Sequence, residues 1–152
     1  MMKLKRVNNG NIIDITNFLL YDEQRRYMIS PLNFLKSVEG EKNCRPLIIY
    51  NDDIPVGFFA YGIIEDVYVI AGFMIDLDHQ RKGYGKKAMQ ILINKIKKDK
   101  SHSKISLNVD EDNVVAIKLY ESLGFKMQGI SYFTIDECEG TSSDVYRMVL
   151  EY

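Results

Sequence analysis

The sequence is poor in the residues that build disulfide frameworks and metal centres, with two cysteines and two histidines among 152 residues. Cys44 and Cys138 are far apart and outside any Cys-x-x-Cys spacing, which is typical of reduced thiols in a cytoplasmic protein. His79 and His102 stand outside any ligand-like cluster. We therefore expect a cytoplasmic protein that needs neither a disulfide nor a metal ion.

Long apolar runs are also lacking. The longest near-apolar stretches, Val56–Ile64 and Val67–Ile75, have about half the ~18 residues that a membrane span requires. The basic N-terminus is not followed by an apolar segment, so we expect no secretory signal and no membrane partner. The length is that of one compact domain, and we expect a single domain over residues 1–152.

The charge is distributed unevenly along the chain. Residues 80–104 contain nine basic residues and one acid, a local balance of +8, whereas the rest of the chain carries −9 within a net charge of −1. A basic segment of this kind is typical of nucleic-acid binding or of a helix face that is merely solvated. No stacking platform or reading motif accompanies the lysines, so we expect no nucleic-acid partner.

Hydrophobic periodicity predicts an α+β, or mixed α/β, fold. Two amphipathic helices are expected first, over 11–20 and 22–38, the second broken near Pro31. A meander of strands follows, and then an alternation of strand and helix that ends in a hairpin around a turn at 140–142. The expected strands are 46–50, 56–61, 67–75, 105–109, 126–135 and 145–150, and the later helices are 83–98 and 113–123.

The most informative segment is the glycine loop that opens the helix over 83–98. Gly83 and Gly85 allow the backbone to approach a ligand closely, and the first N–H groups of a helix have no internal partners. The macrodipole places roughly +0.5 charge at this end, where phosphate binds well and cations are mildly unfavourable. The sequence nevertheless concentrates cations here, which indicates that an anion is expected: Arg81, Lys82, Lys86 and Lys87.

Three kinds of anion-binding loop compete for this segment. A Walker loop needs Gly-x-x-x-x-Gly-Lys-Ser/Thr, which is absent. Gly83-x-Gly85-x-x-Ala88 matches a dinucleotide fingerprint weakly, because seven residues separate Ile75 from Gly83 and no acid follows about 20 residues on. The third pattern is Gln/Arg-x-x-Gly-x-Gly/Ala, filled by Gln80, Gly83 and Gly85. Here the sequence resembles the GCN5-related N-acetyltransferase (GNAT) superfamily, whose loop holds the pyrophosphate of acetyl-coenzyme A.

A second segment makes the resemblance more specific. Asn113-x-x-Ala116-x-x-x-Tyr120-x-x-x-Gly124-Phe125 closely resembles the other signature of the superfamily, at the expected distance downstream. Asn113 and Tyr120 lie two helical turns apart and share a face. Taken singly, Tyr120 is compatible with a core aromatic residue and Asn113 with a simple N-cap. The resemblance covers roughly two-thirds of the chain.

The resemblance implies both a fold and a co-substrate, acetyl-coenzyme A. The fold has a central, mostly antiparallel twisted sheet of six to seven strands, flanked by about four helices, with a splayed strand pair that takes coenzyme A. Gly72 is a plausible bulge residue for that splay. The residues implied in cofactor binding are Phe73 and Ile75 for the pantetheine arm, Gln80, Arg81, Lys82, Gly83, Tyr84, Gly85 and Lys86 for the pyrophosphate, and Asn113 and Tyr120.

By the same resemblance, Tyr120 is the catalytic residue and protonates the departing thiolate as general acid. A phenol suits that role, because its pKa of about 10 keeps it a proton donor at neutral pH. The general base is not indicated. Relatives often carry an acid where this sequence has Ala71 and Gly72, which leaves four candidates: Glu65, Asp66, Asp110 and Glu111.

Within the superfamily, the sequence most resembles the bacterial diamine and polyamine N-acetyltransferases, judged from residues 57–62 and the glycine loop. Acids cluster at 65–66, 110–112 and 136–137, and a cleft of one charge sign concentrates ligands of the other. We therefore expect a small cationic di- or polyamine as acceptor. The oligomeric state is left open by the sequence, and the resemblance implies only that a homodimer is common in the family. The alternatives are another amine (an amino acid, an aminoglycoside or a protein N-terminus) and a non-catalytic, coenzyme-A-binding regulatory domain.

Overall fold

The computed structural model of the protein describes residues 1–130 and 144–152. This part of the chain forms seven strands, three α-helices and three short 3-10 helices. The strands are β1 (Met2–Arg6), β2 (Arg45–Asn51), β3 (Ile54–Ile64), β4 (Val67–Ile75), β5 (Lys104–Asp110), β6 (Lys126–Ile130) and β7 (Val145–Glu151). The α-helices are α1 (Pro31–Ser37), α2 (Tyr84–Ile96) and α3 (Val114–Ser122), and the 3-10 helices are Ile12–Ile15, Asp22–Tyr27 and Leu77–His79.

All seven strands join one sheet in the order β1-β2-β3-β4-β5-β7-β6. Neighbouring strands run antiparallel except β4 and β5, which are parallel. Parallel neighbours need a crossover connection, and α2 lies in the one that joins β4 to β5. The predicted α+β fold with a mostly antiparallel sheet is confirmed.

The N-terminal region contains less helix than the sequence predicts. The helix expected over 11–20 is reduced to the 3-10 helix Ile12–Ile15, because the backbone of Leu19 is bound elsewhere. Leu19 N donates to Asp76 Oδ1 (2.8 Å), and Leu19 O accepts from Leu77 N (2.8 Å). A residue whose peptide groups pair with a distant segment cannot also continue a helix, so tertiary contacts override the local pattern here.

The helix predicted over 22–38 is also shorter than expected. It divides into the 3-10 helix Asp22–Tyr27 and α1, so the described residues contain three α-helices where about four were expected. The break near Pro31 is confirmed, since α1 begins at that residue and Ser30 Oγ accepts a hydrogen bond from Asn33 N (3.2 Å). Proline suits the first helical position because its missing N–H needs no partner there.

The first strand, β1, was not predicted. It pairs antiparallel with β2, Leu4 lying opposite Ile49. Met2 and Leu4 are half-buried and pack against the core, whereas Lys3 and Lys5 alternate with them. Two apolar residues in a basic segment are a weak period-2 signal, and the strand forms because β2 offers it an open edge.

The sheet separates two hydrophobic clusters. One lies between the sheet and the helices α2 and α3, and the other lies beneath α1 and the N-terminal 3-10 helices. The apolar residues predicted for the buried face of α2 are all buried: Ala88, Met89, Leu92, Ile93 and Ile96. The periodicity of that helix therefore determined its packing correctly.

The C-terminal hairpin is confirmed for the two strands that the structure describes, because β6 and β7 pair antiparallel. The predicted continuation of the first strand to Ile135, the turn at Gly140–Ser142, Cys138 and the acids Asp136 and Glu137 lie outside the described residues. In the described part of the chain, no helix is both long enough and apolar enough to cross a membrane.

Candidate active site

The parallel strands β4 and β5 separate soon after they begin. They pair at two positions only, Tyr68 with Ile105 and Val69 with Ser106, although β4 continues to Ile75. Beyond these pairs, no strand in the described ranges covers the β5-facing edge of β4. Its backbone N–H and C=O groups can therefore pair with an extended ligand, as a strand would. The expected splayed strand pair is present.

A bulge in β4 lies beside this opening. Gly72 has φ of +66°, and the register between β3 and β4 shifts at this point. A Cβ on Gly72 would lie 3.0 Å from Phe34 Cδ2, so both the backbone angle and the packing of α1 require glycine. Phe73 and Ile75 follow the bulge and pack their side chains against the cluster on the α2 side. The predicted bulge therefore exists at the predicted residue.

The loop after β4 leads into a helix whose first N–H groups lack internal partners. Arg81 and Gly83 have left-handed backbone, with φ of +63° and +78°. The first hydrogen bond of α2 is donated by Lys87 N to Gly83 O (3.3 Å), so the N–H groups of residues 84–86 project beyond the helix end. With the positive end of the helix dipole, they can hold phosphate oxygens.

The side chains around this helix end add to the same potential. Four of them are exposed cations, and none forms an ion pair with any residue in the described ranges: Arg81, Lys82, Lys86 and Lys87. Cations at the start of a helix oppose its dipole, and a bound anion removes that conflict. The free N–H groups and the unpaired cations together fit a pyrophosphate.

Tyr84 and Gly85 hold the start of α2 against the sheet. A Cβ on Gly85 would lie 3.1 Å from Phe73 Cζ, so the missing side chain lets the helix approach β4 closely. Tyr84 Oη accepts a hydrogen bond from Asn51 Nδ2 (3.1 Å). The Tyr84 side chain is thus engaged within the protein, and its backbone N–H is the group that faces out of the helix end.

The Gln80 side chain faces the protein rather than the loop. Its Nε2 donates to Ile75 O (3.0 Å) and to Gln24 Oε1 (2.9 Å), and Gln24 Nε2 donates back to Gln80 Oε1 (3.0 Å). These bonds hold the loop across the end of β4. Gln80 therefore shapes the loop, and the sequence pattern that singled it out did not indicate its partner Gln24.

Tyr120 lies on α3 and is 8% exposed. Its ring packs edge-on against Phe125, with 6.0 Å between the ring centroids. Burial raises the pKa of Tyr120 above its ordinary value, so the hydroxyl stays protonated at neutral pH. Within residues 1–130 and 144–152, no group is hydrogen-bonded to that hydroxyl. The Tyr120 ring is thus buried, and its protonated hydroxyl has no acceptor in the described protein.

Asn113 caps α3, as its simpler interpretation predicts. Its Oδ1 accepts a hydrogen bond from Ala116 N (3.3 Å). The cap uses the side-chain oxygen, which leaves the two N–H groups of Nδ2 as the donors that can meet a ligand. Gly124 ends the same helix with φ of +98°, so both limits of α3 follow the predicted pattern.

Two of the four candidate bases lie far from the glycine loop. Glu65 and Asp66 form the turn between β3 and β4, at the opposite end of β4 from the loop. Asp66 Oδ1 is 3.1 Å from His102 Nε2, and His102 Nδ1 is 2.8 Å from Asp99 Oδ2. This cluster ties the starts of β4 and β5 to the end of α2, which is a structural role.

The other two candidates lie at the loop end of the sheet. Asp110 ends β5 and Glu111 follows it, and because β4 and β5 are parallel, both strands end on the loop side. Tyr146 Oη donates to Glu111 Oε2 (3.3 Å). Burial and the carboxylates of Glu111, Asp144 and Asp112 raise the pKa of Tyr146. The acids therefore create a negative potential at the end of β5.

Comparison with known proteins identifies the family. The model of the acetyltransferase (GNAT) family matches residues 12–125, three-quarters of the chain. The chain belongs to this family. It is an acyltransferase. The glycine loop and α3 are the parts of the fold that the two sequence signatures specified, and the splayed strands are the part that the resemblance implied.

Relatives with described activities resemble the chain over most of its length. The probable spermine N(1)-acetyltransferase of Bacillus subtilis subsp. natto is 27% identical over 136 residues, which covers 84% of this chain and 90% of that protein. The crystal structure of spermidine N-acetyltransferase from Vibrio cholerae, in complex with CoA and spermine, superposes with a TM-score of 0.77 at 20% identity, covering 99% and 95% of the two chains.

A third relative is known to act on a different kind of amine. The ribosomal-protein-S18-alanine N-acetyltransferase of Escherichia coli superposes with a TM-score of 0.72 at 21% identity, covering 99% of this chain and 94% of that one. At these identities, the two solved structures establish the shared fold alone.

Proposed function

We propose that the chain transfers the acetyl group of acetyl-coenzyme A directly to a primary amine of a small di- or polyamine. The observation that carries the proposal is the juxtaposition of two features at the end of β4. One is the uncovered edge of that strand, and the other is the helix end with free N–H groups and four unpaired cations. A long ligand that is amide-rich at one end and anionic at the other matches both.

In this proposal, each part of the co-substrate has its own protein partner. The amides of the pantetheine arm pair with the backbone of Phe73 and Ile75 along the uncovered edge of β4. The pyrophosphate binds the backbone N–H groups of residues 81–86, and Arg81, Lys82 and Lys86 balance its charge. The Asn113 Nδ2 group, which the helix cap leaves unused, bonds the arm.

The chemical step needs little from the protein beyond position and one proton. The neutral amine nitrogen attacks the thioester carbonyl carbon, a C–N bond forms and the C–S bond breaks. Tyr120 donates its hydroxyl proton to the departing thiolate. Its raised pKa keeps that hydroxyl protonated at neutral pH, and no acceptor in the described protein competes for the proton. The proton lost by the amine passes to water or to a carboxylate, for which Asp110 and Glu111 are the better placed candidates.

The acceptor is proposed from charge and from the relatives. A cationic amine is attracted to the negative potential at the end of β5, where Glu111 and its neighbours raise the pKa of Tyr146. The relative from Bacillus subtilis named above carries the name of a probable spermine acetyltransferase. We also propose a cytoplasmic location, based on the isolated cysteines.

A second candidate is a protein N-terminus, favoured by the similarity in fold to the alanine N-acetyltransferase of Escherichia coli. A thiol-release assay separates the candidates. Acetyl-coenzyme A is offered to the protein with spermine, spermidine, an aminoglycoside, free amino acids and peptides with a free N-terminus. Fastest release with a polyamine supports the proposal, and fastest release with a peptide supports the second candidate. Binding of the co-substrate without release for any amine contradicts a catalytic role.

A further inference from the structure

The segment that precedes α1 is joined to the glycine loop by side chains far apart in sequence. Gln24, in the 3-10 helix Asp22–Tyr27, and Gln80, in the loop, exchange two hydrogen bonds through their amide groups, at 2.9 and 3.0 Å. Both side chains are half-buried. Gln24 Oε1 also accepts a bond from Tyr21 N (3.3 Å), so the amide is oriented from both sides.

Backbone contacts continue the same junction. Leu19 N donates to Asp76 Oδ1 and Leu77 N donates to Leu19 O, both at 2.8 Å. Residues 19–24 are therefore attached to residues 76–80 by hydrogen bonds at two points, one through Leu19 and the other through Gln24. In the loop, Gln80 also bonds Ile75 O (3.0 Å), which places the junction directly at the end of β4.

The same N-terminal region reaches the other end of the proposed co-substrate path. Phe34 of α1 packs on Gly72 at the bulge, where a Cβ would lie 3.0 Å from its ring. Residues 19–34 thus border the opening between β4 and β5, from the glycine loop to the bulge. They lie on the sheet face opposite α2 and α3. In the proposed function, the pyrophosphate occupies the end of the opening at the start of α2. The side of the opening that residues 19–34 border is then left for the acceptor.

We propose that Gln24 is a positioning residue that couples the two substrates, because its amide pair with Gln80 transmits the order of the loaded glycine loop to the segment that borders the acceptor. This inference rests on the proposed function. Coenzyme A immobilises the loop, the loop immobilises Gln80, and the amide pair then holds residues 19–27 in the geometry that receives the amine. Linkage requires the effect to be reciprocal, so the acceptor tightens coenzyme A by the same factor.

The size of the coupling follows from the contacts. A net contribution of one hydrogen bond corresponds to a factor of about 2 to 12 in an equilibrium constant, and the pair contains two. We expect Gln24→Leu to raise KM for the acceptor by about tenfold when acetyl-coenzyme A is saturating. Because the coupling is reciprocal, acetyl-coenzyme A should be weakened by the same factor when the acceptor is saturating, and bind almost as in the wild type when the acceptor is absent. Gln24→Glu should give an intermediate effect, since its carboxylate still accepts from Gln80 Nε2 but donates nothing to Gln80 Oε1.

Hydrogen exchange tests the coupling without turnover. Coenzyme A is added to the wild-type protein, to Gln24→Leu and to the matched control Gln90→Leu, which makes the same change at an exposed position of α2. In the wild type and the control, coenzyme A should protect the amides of both residues 81–87 and residues 19–27. In Gln24→Leu it should protect residues 81–87 only.

The outcomes distinguish the coupling from the proposed function. Equal protection of residues 19–27 in Gln24→Leu and in the wild type overturns the coupling and leaves co-substrate binding intact. Absence of protection in residues 81–87 of the wild type overturns the proposed cofactor site, and the coupling with it. If Gln24→Leu does not fold, Gln24→Glu takes its place, and an acceptor KM equal to that of the wild type then overturns the proposal.

Discussion

Replacing Tyr120 by phenylalanine separates catalysis from stability. The hydroxyl that is removed has no hydrogen-bond partner in the described protein, and the ring keeps its contact with Phe125. We expect kcat to fall by about 10²–10⁴-fold, the usual contribution of a general acid. The free energy of unfolding should change by less than about 0.5 kcal/mol, because no hydrogen bond is lost and the burial of the ring is retained.

The matched control is Tyr68→Phe, at the far end of β4 from the loop. The Tyr68 hydroxyl does have a partner, since it donates to Asp99 Oδ2 (2.7 Å). Loss of one such bond lowers the free energy of unfolding by about 1 kcal/mol and the Tm by roughly 2–4 °C in a domain of this size. Turnover should remain that of the wild type. Tyr120→Phe is therefore expected to lose turnover and keep its stability, whereas Tyr68→Phe should lose stability and keep its turnover.

Single-turnover kinetics and thermal unfolding are measured on both variants with the best acceptor from the amine panel. A single-turnover design removes product release, which otherwise hides a slower chemical step. Burial raises the pKa of Tyr120 above its ordinary value of 10, so the protonated donor persists to higher pH and no loss of rate from its ionisation is expected below pH 10. A wild-type single-turnover rate in Tyr120→Phe refutes the general-acid role and leaves Tyr120 as a core residue.

The remaining predictions concern the loop, the acceptor and acid stability. Acetyl-coenzyme A should raise the Tm of the wild type but not that of a folded Gly83→Val variant, since valine strongly disfavours φ of +78°; an unchanged rise refutes the loop assignment. The acceptor kcat/KM should fall with salt, and Glu111→Gln should weaken acceptor use more than cofactor binding; an efficiency that ignores salt excludes a polyamine. Hydrogen bonds from Ser101 and Tyr68 lower the pKa of Asp99, so the stability that they supply is lost as the pH falls below 3.8. Asp99→Asn should flatten that acid limb in unfolding measured against pH.

Local pattern was sufficient for the elements that carry the family signatures. Four features each depend on residues within a few positions of one another: the buried stripe of α2, the Asn113 cap, the left-handed Gly124 and the glycines of the glycine loop. A helical period, a cap and a positive φ are properties of short segments, so they can be read from sequence. The two signatures therefore specify the helix of Tyr120 and the glycine loop without any long-range contact.

Other features depended on residues far apart. The helix expected over 11–20 does not form, because Leu19 bonds to residues 76 and 77, and β1 exists because β2 offers it an edge. The acids at 65–66 and 110–111 look alike in sequence, yet the direction of β4 and β5 places them at opposite ends of the sheet. Sequence spacing carries no information on which of two acidic turns reaches the site.

The sequence by itself determined the fold class, the glycine loop at the start of α2 and the helix of Tyr120, since each follows from short-range periodicity and backbone preference. Only the tertiary structure decided where β4 parts from β5, which acids lie beside that opening and what the loop glutamine contacts. Gln24 and Gln80 are 56 positions apart, and their pairing depends on how the N-terminal segment packs on the finished sheet. Such a contact is a product of long-range packing, which no local pattern encodes.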